Sequence, residues 1–174
     1  SKTTHLDGHT PNNLFESDVT AATRVLVDMY LDDDNPSTGV KVVTFDIEVE
    51  KDEVTGYSSV QEANNRINSI ALYDHQADQK HVIILDPKLT VKPRKKGNVE
   101  IHVAASERLL LERFYSIFNT IQPHVITGWN IDFFDVPYLF NRAKKVMGAK
   151  KAKCLSPIGI VSEMYPNDDE DPRY

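Results

Sequence analysis

Cysteine is nearly absent from the 174-residue chain: the single Cys154 allows no disulfide within it. With no second cysteine, and no histidine at ligand spacing around the first, the sequence also argues against a structural zinc site. Long apolar runs are missing too. None approaches the roughly 18 residues needed to cross a bilayer. The opening Ser1-Lys2-Thr3-Thr4-His5 has no apolar stretch that would make it a signal peptide. The expectation is a cytoplasmic protein without a membrane partner. A basic surplus is likewise lacking, since the formal net charge is −6. A chain that grips nucleic acid through its own field needs a basic face to displace phosphate counterions. That class is disfavoured unless bound divalent ions neutralise some of the acids and neighbouring domains supply the phosphate contacts. What is present, 40% hydrophobic and 26% charged residues, is enough for one substantial core.

Residues 17–30 put Val19, Ala22, Thr23, Leu26, Val27 and Tyr30 on one helical stripe, with Ser17 or Asp18 as its cap. Asp32 to Gly39 combines like charges with turn formers and reads as a solvated linker. Three strands follow, at 40–50, 67–74 and 81–86, each rich in Val or Ile and ordered as a meander. The segment from Val91 to Gly97 is the dense basic cluster, Lys92, Arg94, Lys95 and Lys96, and reads as a loop on account of Pro93 and Gly97. A helix is expected over 106–122, with Leu110, Phe114, Ile117, Phe118 and Ile121 on its apolar face and Pro123 as its stop. A short buried strand over 124–127 comes next. After a loop, a second helix begins near Asp135 and Pro137 and ends at Gly148. The order predicts a mixed α/β sheet with flanking helices.

Carboxylates mark the chemistry. On a strand, side chains alternate between faces, so Asp46 and Glu48 of Phe45-Asp46-Ile47-Glu48 project to the same side. Two acids held close repel unless a cation neutralises them, and Mg²⁺ or Mn²⁺ prefers such oxygen-rich sites. An exposed strand face is the plain alternative. Asp135, just before Pro137 and an apolar stripe, is either a helix N-cap or a third ligand, and a helix N-terminus favours a phosphate in both cases. Gly128 permits close backbone approach, here read as approach by a substrate. Phe133, Phe134 and Tyr138 offer rings for unpaired bases, with Phe133 the better candidate for exposure and Phe134 for the core.

Phe45-Asp46-Ile47-Glu48, then Thr127-Gly128-Trp129-Asn130, then Phe134-Asp135-Val136-Pro137-Tyr138 closely resemble the first and second exonuclease motifs of family B DNA polymerases, the T-even bacteriophage branch in particular. The resemblance runs from about Val40 to Met147, and more weakly through Lys153 to Pro157. It implies a ribonuclease-H-like 3′→5′ exonuclease domain over 40–148 lacking its last strand and helix. It further implies a piece of the polymerase N-terminal domain over 1–39, and a polar acidic tail or the start of a hairpin insertion over 149–174. The implied function is proofreading in DNA replication by two-metal hydrolysis, with two Mg²⁺ or Mn²⁺ ions held by Asp46, Glu48 and Asp135. Asp46 bridges the ions, Glu48 serves the one that generates hydroxide, and Asp135 serves the other. Trp129, Asn130, Phe133, Phe134 and Tyr138 border the cleft for a single-stranded primer 3′ end. The implied partners are DNA, the palm, fingers and thumb domains, and a sliding clamp reached through a later part.

The family's third motif, Tyr-x-x-x-Asp, is imitated by Tyr165 and Asp169, which fall in a turn-rich acidic tail too close to Asp135. His81 and Asp86 imitate the histidine-type variant of that motif, but upstream of the second motif. Neither pair is taken as the third motif. No Asp-Thr-Asp polymerase motif, Walker loop or Ser-His-Asp setting occurs, so nucleotide addition lies outside these residues. The rival reading is a catalytically silent nucleic-acid-binding or subunit-docking module of a truncated or split polymerase. A free-standing nuclease is a third reading, disfavoured by the absent helix.

Overall fold

A computed structural model describes residues 19–32 and 39–161. The linker reading beyond Asp32, the Ser17 and Asp18 caps and the Tyr165/Asp169 pair lie outside these residues. The chain divides into two units at Thr38/Gly39. In the first, helix α1 (Ala21–Tyr30) is capped by Thr20, whose hydroxyl accepts from the Thr23 amide. None of its residues is buried, and Leu26, Met29 and Tyr30 are all more than half exposed.

The second unit is built on a six-stranded mixed sheet among the described residues. Its strands are β1 (Val42–Val49), β2 (Ile67–Asp74), β3 (Gln79–Leu85), β4 (Arg94–Lys96), β5 (Val99–Ala104) and β6 (Val125–Thr127). They lie in the order β4-β5-β3-β2-β1-β6. β1, β2 and β3 form the antiparallel meander that the alternation predicted, whereas β5 runs parallel to β3 and β6 parallel to β1. The basic cluster is not a plain loop. Arg94–Lys96 is an edge strand antiparallel to β5, with Gly97 at φ +59° making the turn between them. A run of three exposed cations lacks an apolar face, so pairing with β5 rather than its own propensity makes it a strand. Its charge also suits an edge, which lysines keep from pairing further.

Helix α2 (Glu107–Ile121) lies on one face of this sheet, capped by Ser106 and closed by left-handed Gln122 before Pro123. Phe114 stacks on Phe118 and meets Phe45 of β1 at 5.7 Å between ring centres. Helix α3 (Asp135–Met147) contributes Tyr138, Leu139, Phe140 and Ala143 to the same core. Between the helices, Glu107 and Arg142 form a buried two-pronged ion pair at 2.7 Å, and Glu107 also accepts from the Ile67 amide. The stretch expected as a tail from residue 149 is folded as far as Leu155. It comprises a one-turn helix α4 (Ala149–Ala152) and a 3₁₀ turn (Lys153–Leu155). Ala152 is buried, and its carbonyl accepts from the Tyr115 hydroxyl. β6, expected to be buried, is exposed along its length because it is the outer strand of the sheet. Lys41 holds it in place, donating its backbone amide to His124 Nδ1 and its ammonium to the Ile121 carbonyl. No helix among the described residues is long and apolar enough to cross a membrane.

Candidate active site

Strand β1 buries Val43, Phe45 and Ile47 against the helices, so Asp46 and Glu48 between them are exposed on the opposite face. A bulge follows at Glu48/Val49, which bends the strand at the end of the acidic pair. Asp135 belongs to a different element, yet arrives at the same place. β6 pairs with β1 only over Val42–Thr44, so the edge of β1 beyond Thr44 has no backbone partner on that side. Asp135 supplies one: its Oδ1 accepts from the Ile47 amide at 3.0 Å. The acid is thus not the N-cap that its sequence position imitates. It sits at the first helical residue, no side chain caps the helix, and its carboxylate completes the sheet instead. That one bond fixes its place beside β1.

Asp135 is 4% exposed. Burial pushes its carboxyl above the ordinary range, the Ile47 hydrogen bond opposes this, and the charges of Asp46 and then Glu48 raise it further. Those Coulomb effects place three carboxylates in one field. Among the described residues none of the three has an ion-pair partner. An all-oxygen, negatively charged cluster with no Lys or Arg to neutralise it fits a hard divalent cation such as Mg²⁺ or Mn²⁺. The three do not bring one oxygen each within 4.8 Å of the others, because the described residues contain a single such ligand group and it lies elsewhere.

A raised native pKa has a definite sign. The protonated form is favoured by folding, so this contribution is present at low pH and is lost as pH rises from the ordinary carboxylate value through the raised one. Asp135→Asn keeps an oxygen for Ile47 and removes the charge. In EDTA at neutral pH it is expected to be more stable than the wild type by on the order of 1 kcal/mol, a gain that vanishes below about pH 4. Thermal melts across pH check this, and an Asn variant less stable at neutral pH overturns the account.

The loop 128–134 is folded by its own hydrogen bonds. The amides of Phe133 and Phe134 both donate to the Asn130 carbonyl, and left-handed Asn130 at φ +54° makes the turn. Ile131 anchors the loop in the core. Gly128 is needed for a reason other than the expected one. A Cβ there would lie 2.7 Å from the Phe45 carbonyl, so the close approach is to β1 rather than to a substrate. Trp129 is 92% and Phe133 75% exposed, so both rings are available at the surface. Asn130 is exposed. Phe134 packs partly against the core. Tyr138 is a correction: it is fully buried, its ring lies beside Phe134, and its hydroxyl donates to the Asn65 carbonyl. It supports the loop from beneath and offers no face to a base. His81 and Asp86 do not act together. Asp86 instead ties up the turn after β3, accepting from Thr90 and from the amides of Lys88 and Val91.

The geometry agrees with the comparisons. The family model for the DNA polymerase family B exonuclease domain matches residues 17–164. The DNA-directed DNA polymerase of Enterobacteria phage T4 is 32% identical over 152 residues, which cover 72% of this chain and 17% of that protein. The DNA-directed DNA polymerase of Escherichia phage RB69 is 27% identical over 154 residues, 74% of this chain and 17% of that protein. A DNA polymerase of Pyrococcus glycovorans is 31% identical, with 77% of this chain and 15% of that protein covered. The chain therefore spans about a sixth of the length of these relatives. A mixed sheet flanked by helices, a paired-acid strand and a family match over most of the sequence together make this chain a member of the DNA polymerase family B exonuclease domain family.

Proposed function

We propose that the chain forms part of the 3′→5′ proofreading exonuclease of a DNA-directed DNA polymerase acting in replication, hydrolysing the terminal phosphodiester at a DNA 3′ end. The observation that carries this reading is the Asp135–Ile47 hydrogen bond, which brings an acid from 88 residues away into the field of Asp46 and Glu48. Asp46 with Glu48 would hold one divalent ion, and Asp46 with Asp135 the other. Such a pair, when bound, supplies Lewis-acid activation of water and of the departing 3′ oxygen. The chain's own residues position the strand. Trp129 and Phe133 present exposed rings on which unpaired bases can stack. The N-terminus of α3 would contribute its dipole there, while its first amides are engaged: the Val136 amide donates to the Ile131 carbonyl, Pro137 has no N–H, and the Tyr138 amide donates to the Phe134 carbonyl. Asn130, held at the turn, is exposed and offers its carboxamide to solvent or substrate. The working setting would be the cytoplasm, the host's for a viral polymerase, with the palm, fingers and thumb as neighbouring domains.

Calorimetric titration of this chain with Mn²⁺ tests the acid cluster directly. Binding is expected in the wild type, and Asp46→Ala should weaken it by about 10-fold or more. Binding heat that does not depend on Asp46 would remove the metal site and leave the docking-module reading in its place.

A further inference from the structure

A second cluster of metal-ligating side chains lies on the opposite face of the sheet. Phe45, Leu72, His81 and Glu100 form one cross-strand row, with His81 in β3 and Glu100 in β5, so they share the helix-covered face. His102, two residues beyond Glu100, points to the same side and pairs across with Ile83. Asp46 belongs to the neighbouring row, with Ala71, Val82 and Ile101, and projects the other way. The two clusters are therefore separated by the sheet itself and by the width of β2.

We propose that His81, Glu100 and His102 form a binding site for a Zn²⁺-class transition-metal ion that fastens the β4–β5 hairpin to β3. One ligand atom from each of the three lies within 4.8 Å of the others. His81 Nδ1 and His102 Nε2 are 3.2 Å apart, and the Glu100 oxygens lie 3.9 and 3.8 Å from them. A tetrahedral ion with bonds of about 2.0 Å separates its ligands by about 3.3 Å, so the two nitrogens already stand at that spacing and the carboxylate closes on them by a small side-chain shift. Two imidazoles and one carboxylate form a donor set that zinc takes and that Mg²⁺ does not favour. The rings are mostly covered, at 14% and 16% exposure, while Glu100 is 35% exposed and leaves a way in from solvent. Burial lowers both imidazoles, which keeps them in the neutral, ligating form. Lys95 Nζ, 3.9 Å from Glu100, competes for the carboxylate from a mostly exposed position, and Arg113 adds positive field from α2. The site uses no cysteine, so the scarcity of cysteine does not bear on it. It rests on the sheet register and is independent of the exonuclease reading.

The test is Zn²⁺ titration of the full chain by calorimetry, with His102→Gln, Glu100→Gln and Asp46→Ala compared with the wild type. Thermal melts in EDTA establish that each variant is folded. One high-affinity Zn²⁺ is expected at this site, apart from any ion the acid cluster takes, with the affinity of this site reduced at least tenfold in H102Q, reduced in E100Q and unchanged in D46A. Co²⁺ in place of Zn²⁺ should give the intense visible bands of a four-coordinate site in the wild type and lose them in H102Q. E100Q leaves both rings in place and serves if H102Q fails to fold. Zn²⁺ binding equal in the wild type and these two variants would overturn the proposal. So would the absence of Zn²⁺ binding, which leaves a His–His hydrogen bond alone, or its loss in D46A.

Discussion

Asp46→Ala in the intact polymerase is expected to lower 3′→5′ hydrolysis of a 5′-labelled single-stranded oligonucleotide by more than about 100-fold while leaving the fold more stable in EDTA. The two halves of this expectation have one cause. Loss of a second-shell partner of a metal ligand typically costs about 10–100-fold, and Asp46, assigned to both ions, should cost more. The same carboxylate adds to the field that pushes the buried Asp135 carboxyl upward, so its removal relieves a repulsion in the metal-free protein. A merely structural residue would not move activity and stability in opposite directions. Unchanged hydrolysis would sink the assignment of Asp46. Lost hydrolysis with lost stability would instead point to damage to β1.

The largest stability effect is expected far from the acids, at Arg142. Arg142→Ala should cost about 3–5 kcal/mol, because it strands the Glu107 carboxylate in the core without its counter-charge. It also removes donors to the Ala63 and Asn64 carbonyls, which Arg142 holds in the loop before β2. In a protein of this size that corresponds to a midpoint lower by roughly 10 °C. The pair is not indispensable as such. Glu107→Gln combined with Arg142→Met retains an acceptor for the Ile67 amide and removes both charges, so it should recover more than half of the loss. Urea titration of the two variants and the wild type decides the matter, and an Arg142→Ala cost below about 1 kcal/mol would falsify the account.

How far these features were legible varies with the distance over which they act. The meander and both long helices follow from periods of two and 3.6 within single segments, and their bounds came out close to the expected ones. Val99-Glu100-Ile101-His102-Val103 carries the same alternation but was assigned no strand, and β4, within the segment expected as a loop for its Pro93 and Gly97, has no apolar position to announce it. Glu107 reads as an ordinary acid in a first helical turn. Nothing local says that it meets an arginine 35 residues later. The acids on β1 were legible as a pair because a strand fixes their side. Asp135 was legible as either a helix cap or a ligand, and its bond to β1 was not, since the unpaired edge of that strand depends on where β6 stops. Tyr138, one turn into α3, looks accessible in sequence and is buried because the apolar face of that helix turns inward there. The histidine cluster is a product of register alone.

The loop 128–134 can finally be regarded as a tether of fixed reach. Thr44 is the last rung that β6 occupies on β1, and Ile47 stands three rungs farther on, about 10 Å away. The chain must leave the sheet at Gly128, seat Ile131 in the core and return with an acid at that rung and no other. A tether one residue longer would carry Asp135 past the Ile47 amide toward a residue whose backbone groups face β2, and that amide would lose its acceptor. The interval between the Gly-Trp-Asn and Phe-Asp strings is thus a length measured against the pleat of β1, and it ties the placement of Asp135 to the strand spacing of the sheet.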